Sequence, residues 1–315
     1  WPEPYPGSAP KGDDGAMSRP VATGSSPLIT TPAGARAGAG IADAPGVSQD
    51  TDIAAALVTS TAPANRKLPS DRHGAALDEA SCSALLDGLD AQARLTWAYD
   101  TFGSGLALTT SFGIQSAVLL HMASSLAPAG SGASVPVIWV DTGYLPPETY
   151  RYAEQLHGKL GFDLRVVQAS MSPARMEALH GKLWESGTLE DLELYNHLRK
   201  VEPLDRAFRD LDVSCWASGV RGSQTDHRRA MAPLEPVRGL WSLRPLLSWS
   251  NRDVFYYMEQ HGLPQHPLFE KGYSTVGDWH SSAPDDGNTS GRATRFGGLK
   301  QECGIHLPGL MGEGI

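Results

Sequence analysis

From Leu77 to Gly103 the apolar positions of LDEASCSALLDGLDAQARLTWAYDTFG recur every three to four residues, which predicts helical structure ending at a glycine C-cap. The period then changes. LALTT, residues 106–110, predicts a short strand, SFGIQS a tight turn, and AVLLHMASSLA a helix. VPVIWV, residues 135–140, is a continuous apolar run, the mark of a strand covered on both faces, and DTGYLPPETYRYAEQLHGKLG reads as a turn and a helix. DLRVVQA adds a third strand and SCWASGV a fourth. Strands alternating with helices predict an α/β fold, a parallel sheet sandwiched between two helical layers, with its ligand outside the carboxyl ends of the strands.

The periodic pattern does not reach the ends. Residues 1–70 are rich in Ala, Gly, Pro, Ser and Thr without sustained periodicity, too little apolar surface to offset the entropy of ordering, and are expected to be a disordered N-terminal extension. The chain opens on Trp1, and its first methionine is Met17. From there the Arg-containing, initially acid-poor stretch has the composition of an organellar transit peptide, against which Asp43, Asp50 and Asp52 weigh; a plain disordered tail fits equally. Residues 71–281 form the expected folded domain. Residues 282–315, beginning with the low-complexity APDDGNTSGRATRFGG, are expected to be a flexible tail.

Composition narrows the function. The 315 residues are 41% hydrophobic, enough for a real core, and no stretch approaches the roughly 20 consecutive apolar residues of a membrane helix. A net charge of −9 argues against nucleic acid as a partner, so any anionic substrate needs a local cluster of cations. Three cysteines, Cys82, Cys215 and Cys303, are too few for a disulfide framework and show no zinc-like spacing, which points to a reducing compartment. Cys215 in a strand and Cys82 in a helix read as packing residues. Cys303 differs. In KQECGIH it lies in a polar, glycine-flanked segment with little to pack against, where a thiol is placed for chemistry.

Candidate chemistry gathers at the predicted strand ends. Thr109–Ser116 offers backbone N–H groups at a helix start, hydroxyls, and Gly113 for close approach, suited to a phosphate or sulfate oxyanion; an ordinary capped turn is the alternative. It is neither a Walker A loop nor a GxGxxG fingerprint. Asp141 and Thr142 project from the second strand and Gly143 permits a turn; Asp141 either holds a ribose or adenine edge or caps that turn. Arg199 and Lys200 are adjacent, and Arg221, Arg228 and Arg229 follow the fourth strand, so cations at two strand ends are expected to form a positive pocket for a polyanion. A flexible lid carrying Cys303 could then close over the anion and open for a second reactant.

Across residues 95–306 the ordered motifs SFGIQ, DTGYLPPETY, GKLWE, RKVEPL, GVRxxQ, HPLxxxGYxxVGD and ECGIH together resemble the 3'-phosphoadenylyl-sulfate (PAPS) reductases of assimilatory sulfate reduction. The resemblance implies an adenine nucleotide α-hydrolase-like (PP-loop) fold, with SFGIQS where the related ATP pyrophosphatases bind pyrophosphate. It implies that the Cys303 thiolate attacks the sulfur of PAPS, adenosine 3',5'-bisphosphate leaves, and reduced thioredoxin or glutaredoxin releases sulfite from the S-sulfocysteine. It extends the substrate site over Ser111, Phe112, Gly113, Gln115, Ser116, Asp141, Thr142, Gly143, Arg199, Lys200, Arg221, Gln224, Arg228, Lys300 and His306. Lys300, His306 and the arginines are expected to lower the Cys303 pKa, and Glu302 to oppose them.

The iron–sulfur relatives, which reduce adenylyl sulfate (APS), carry cysteines at the positions that here hold Tyr195-Asn196 and Asp278-Trp279-His280-Ser281, so no cluster is expected, nor a metal or flavin. Cluster-free members using APS are the near alternative; a PP-loop ATP pyrophosphatase or ligase and a non-catalytic nucleotide sensor are more distant ones. Gly222 stands where many relatives have a second basic residue, and Arg229 is the expected substitute. No thioredoxin-like stretch follows Cys303, so the donor is expected to be a separate protein. Relatives are often homodimers; a cytoplasmic location is expected, or a plastid one if residues 17–70 are a transit peptide.

Overall fold

The structure, a computed structural model, describes residues 68–126, 134–287, 289, 291–302 and 304–306. The low-complexity segment 1–67 and Cys303 lie outside the described residues. The N-terminal helical run is two helices, α1 (Glu79–Asp87) and α2 (Ala91–Phe102), because Gly88 ends the first and two aspartates begin them: Asp78 accepts from the Ser81 N–H and Asp90 from that of Ala93. Gly103, at φ +55°, closes α2 as its sequence suggests.

Four predicted strands follow, β1 (Leu106–Thr110), β2 (Pro136–Asp141), β3 (Asp163–Gln168) and β4 (Cys215–Ser218), mutually parallel in the order β3-β2-β1-β4. The sheet then continues beyond the alternating pattern. An antiparallel hairpin, β5 (Leu234–Val237) and β6 (Leu240–Leu243), adds two strands, with β6 parallel to β4. Arg238 and Gly239 between them both have positive φ, 52° and 78°, the requirement of a type I′ turn.

Successive residues of the central strands face opposite layers. Leu106, Leu108, Val137, Trp139, Cys215 and Ala217 pack toward α1, α2, α3 (Ser116–Ser124), α4 (Pro147–Leu160) and, later in the chain, the helix Asn251–Gln260. Ala107, Ile138 and Trp216 face the other way, onto Leu204, Ala207 and Phe208. This two-sided burial explains the continuous apolar run of β2.

The second layer contains a long helical run in three parts, α6 (Leu189–Asn196), a π turn over His197–Val201 and α7 (Glu202–Asp210), preceded by a short α5 (Pro173–His180). Pro203 has no N–H to bond the carbonyl four residues back, and the widened turn falls just before it. The turn carries Arg199 and Lys200 inward; both are buried. Among the described residues no helix is long and apolar enough to cross a membrane.

Candidate active site at the sheet switch point

From β1 the chain runs outward through β2 and β3, then returns to place β4 on the other flank of β1. The crevice between the carboxyl ends of β1 and β4 is where such a sheet holds its ligand. The turn after β1 and that after β4 both open onto a cavity of about 220 Å³, far more than ordered water needs. Ser111, Gly113, Gln115 and Ser116 line it. Gln115, at the N-cap of α3, makes no capping bond with its side chain, which leaves first-turn N–H groups for an external acceptor. Phe112 contributes through its backbone: at φ +47° it turns the loop, while its ring lies buried edge-on to Trp139 at 4.8 Å.

The DTG turn separates its residues. Thr142 lines the cavity, but the Asp141 carboxylate accepts from the Gly143 N–H (2.8 Å), the Tyr150 hydroxyl (2.6 Å) and Gln168 Nε2 (2.7 Å), so of the two roles open to it the structure shows the turn-capping one. Gly143 has φ +76°, and a Cβ there would fall 2.6 Å from Pro173 Cγ. Gly143→Ala is expected to destabilise the fold by about 1–3 kcal/mol, read as a lowered chemical-denaturation midpoint.

Arg199, expected to meet the anion, instead holds this turn: its guanidinium donates to the carbonyls of Thr142 and Met171. Lys200 does line the cavity, but as half of a buried ion pair, its Nζ 2.6 Å from Asp278 Oδ2. Asp278 also accepts from Thr142 Oγ1 at 2.5 Å. Burial opposes ionisation of this carboxyl, yet Lys200 beside it holds its pKa well below the usual carboxylate range.

After β4, Arg221 is buried, its Nη2 bonded to Gln115 and Asn251 oxygens and its Nη1 without a partner. Burial lowers its pKa to about 10, still charged at neutral pH. Gln224 and Arg228 line the cavity. Arg229 does not: it is 70% exposed and paired with Asp226, with its Cα 3.5 Å from where a Gly222 Cβ would sit. At Gly222 a Cβ would sit 3.2 Å from the Leu247 carbonyl oxygen, a tight contact that a side chain there would have to relieve by a small shift.

The described part of the C-terminal segment, expected to be a mobile tail, is packed on the domain. Glu302 accepts from Arg228 Nε and Nη2 at 2.8 and 2.7 Å, so its charge is offset rather than left to oppose a neighbouring thiolate. Lys300 pairs with Glu193 at 3.1 Å and does not line the cavity. His306 does line it, stacked on Trp216, but burial first, then Arg228 nearby, lowers its pKa far below the ordinary value, so it is a neutral ring rather than the expected cation. Three charged lining residues went unassigned in the sequence: Asp278, Arg292 and Arg295. Asp278 sits inside the GYxxVGD motif; the two arginines lie in a low-complexity segment that gives no periodic signal.

The sequence model of the phosphoadenosine phosphosulfate reductase domain matches residues 105–284, more than half of the chain. The chain is 55% identical over 214 residues to the phosphoadenosine 5'-phosphosulfate reductase of a Synechococcus strain, covering 68% of this chain and 90% of the relative. The chain belongs to the phosphoadenosine phosphosulfate reductase family. The Synechocystis enzyme of the same name is 48% identical over 233 residues, 74% of this chain and 92% of the relative. The crystal structure of phosphoadenylyl-sulfate reductase from Candida auris, a phosphate complex, superimposes with TM-score 0.56 at 30% identity, covering 66% of this chain and 98% of that one. The α/β sheet with its PP-loop-like first turn is thus a phosphosulfate reductase fold.

In this reductase the positions assigned to cluster cysteines are packed with aromatic groups. His280 stacks on Trp184 at 4.0 Å and shares a 2.9 Å hydrogen bond with the Tyr195 hydroxyl, and Asn196 is buried behind them. Those residues do not fit a cluster, and among the described residues no group of three or more His, Cys, Asp or Glu is placed to hold a metal. Burial lowers the pKa of His280 to about 4, and that of His266, held between Thr149 and the Leu268 N–H, to about 4. Both rings therefore stay neutral in the folded chain where an unfolded chain, near pKa 6.5, takes up protons. Stability is expected to be complete above about pH 6.5 and to fall toward pH 4, by roughly 2–3 kcal/mol per pH unit near pH 5 for the pair. Urea unfolding from pH 7 to 4.5 checks this; a flat profile would contradict it.

Proposed function

We propose that this chain reduces PAPS to sulfite and adenosine 3',5'-bisphosphate with a thioredoxin or glutaredoxin as donor. The Cys303 thiolate attacks the sulfonate sulfur; the S–O bond to the 5'-phosphate breaks, and the bisphosphate leaves with its electron pair. A donor thiolate then attacks Cys303 Sγ of the S-sulfocysteine, releasing sulfite, and the donor's second thiol resolves the mixed disulfide, so the donor dithiol supplies both electrons. The reading requires no bound metal, flavin or iron–sulfur cluster.

One observation supports it above others: residues on both sides of position 303 meet the cationic cavity at the switch point, Glu302 on Arg228 and His306 in the cavity wall. Lys200, Arg228, Arg292 and Arg295 line the same cavity, and Arg221 stands beside Gln115. Cations lining the cavity lower the repulsion between thiolate and sulfonate. Mixing the reduced chain with PAPS and no donor is expected to add one sulfonate, about 80 Da, to the peptide holding Cys303. Absence of the adduct alongside continued sulfite formation with donor would overturn the mechanism.

The exposed position of Arg229 favours a second reading, an APS reductase without a cluster. We assign 3'-phosphate recognition to Arg221, whose buried Nη1 has no partner, with the SFGIQS loop. Adenosine 3',5'-bisphosphate is then expected to bind at least tenfold more tightly than AMP, since each charge-assisted bond contributes roughly 1.5–3 kcal/mol. Equal dissociation constants by calorimetry would transfer the assignment to APS.

A further inference from the structure

The tail segment is held at several points. Lys300 pairs with Glu193, whose side chain is more than a third exposed; Arg292 donates from Nε and Nη2 to the Gln301 carbonyl at 2.9 and 2.6 Å; Arg238 donates to that of Ile305 at 2.9 Å. The first joins a mostly buried ammonium to a partly exposed carboxylate through a single contact that fixes no plane, and the carbonyl contacts do not depend on which side chains the tail carries. Glu302 differs from all of these. Its carboxylate accepts from Arg228 Nε (2.8 Å), Arg228 Nη2 (2.7 Å), Thr225 Oγ1 (3.2 Å) and Arg292 Nη2 (3.4 Å). The Arg228 and Glu302 side chains are only 4% and 11% exposed. The bidentate fork, shielded from water, fixes both the distance and the plane of the carboxylate, which a lysine pair would not do.

Arg228 and Arg292 also line the cavity assigned to the nucleotide. The tail is therefore attached to the same two guanidinium groups that face the substrate site, through the residue covalently joined to position 303.

Resting on the mechanism proposed above, we propose that Glu302 is the positioning residue for the sulfur-transfer step: its carboxylate, seated on Thr225, Arg228 and Arg292, sets the register of the tail relative to the bound sulfonucleotide. An attack of this kind is sensitive to placement, a shift of about 1 Å costing on the order of 100-fold in rate. Arg228 spends its Nε and one Nη2 hydrogen on Glu302 and bonds Gln224 through Nη1. With five donors in the group, further N–H bonds remain for an anionic substrate, so nucleotide and carboxylate can be held at once.

The test is the variant Glu302→Gln beside Glu302→Asp. With saturating PAPS and no donor, the single-turnover rate of S-sulfonate formation on Cys303 is expected to fall about 10- to 100-fold in Glu302→Gln, with a smaller loss in Glu302→Asp, which keeps the charge. Affinity for adenosine 3',5'-bisphosphate is expected to stay within about threefold, since nucleotide and carboxylate bind together. Without nucleotide, alkylation of Cys303 by iodoacetamide, located by peptide mapping, is expected to speed up several-fold in Glu302→Gln. An adduct rate equal to that of the parent overturns the proposal, as does unchanged alkylation. Tighter bisphosphate binding by tenfold or more with no loss of rate would show instead that the carboxylate competes with the nucleotide. Failure of the parent chain to form the adduct would count against the nucleophile assignment; alkylation, which involves no nucleotide, would still report on docking.

Discussion

Replacing Cys303 by serine is expected to lower thioredoxin-dependent sulfite formation by on the order of 10⁴-fold or more and to abolish the mass gain with PAPS, while bisphosphate binding changes little. The other two thiols cannot take over. Cys215 is fully buried in the central strand β4, and burial pushes its thiol far above the ordinary range, so almost no thiolate exists at neutral pH. Cys82 is half-buried on α1, where desolvation, then the nearby Asp78, raise its pKa, and it does not line the cavity. Cys82→Ser is accordingly expected to retain activity. Sulfite formation by Cys303→Ser within tenfold of the parent would remove the S-sulfocysteine step from the mechanism.

The Asp278→Asn variant is expected to lose about 3–5 kcal/mol of stability, because it leaves the Lys200 ammonium buried without a counter-charge. The carboxylate is also the acceptor for Thr142 Oγ1, so the change loosens the DTG turn and the cavity wall together. Nucleotide should partly offset the loss. An anionic ligand supplies charge next to Lys200, so saturating adenosine 3',5'-bisphosphate is expected to raise the melting temperature more in the variant than in the parent. Equal ligand-induced shifts would mean that Lys200 does not sense the bound anion, and a stability loss under 1 kcal/mol would mean that the pair is not desolvated.

Much of this site was readable from the chain. The SFGIQS turn could be placed because a short β-like run and a stretch of helical spacing bracket it, and strand-helix alternation implies where ligands bind. The motif set through ECGIH added the reductase chemistry. The roles of individual cations were not readable. Arg199 and Lys200 are neighbours in sequence, yet the π turn before Pro203 sends one to backbone carbonyls behind the DTG turn and the other to Asp278 in the cavity. Arg228 and Arg229 part in the same way, one buried at the cavity and one exposed. Periodicity carries no such information, because it reports which face is apolar and not which acceptor a long side chain reaches.

By itself, the sequence determined the parallel α/β core, the order of its first four strands along the chain, and the turns that face the ligand crevice. These follow from local spacing and from where backbone donors are left free. Tertiary structure alone decided the antiparallel hairpin at the sheet's edge, the neutral state of His306, and the partners of each charge. The physical reason is that charge state and pairing depend on burial and on contacts between residues far apart in the chain: Lys200 meets Asp278, and Arg228 meets Glu302, only once the sheet has brought their segments together.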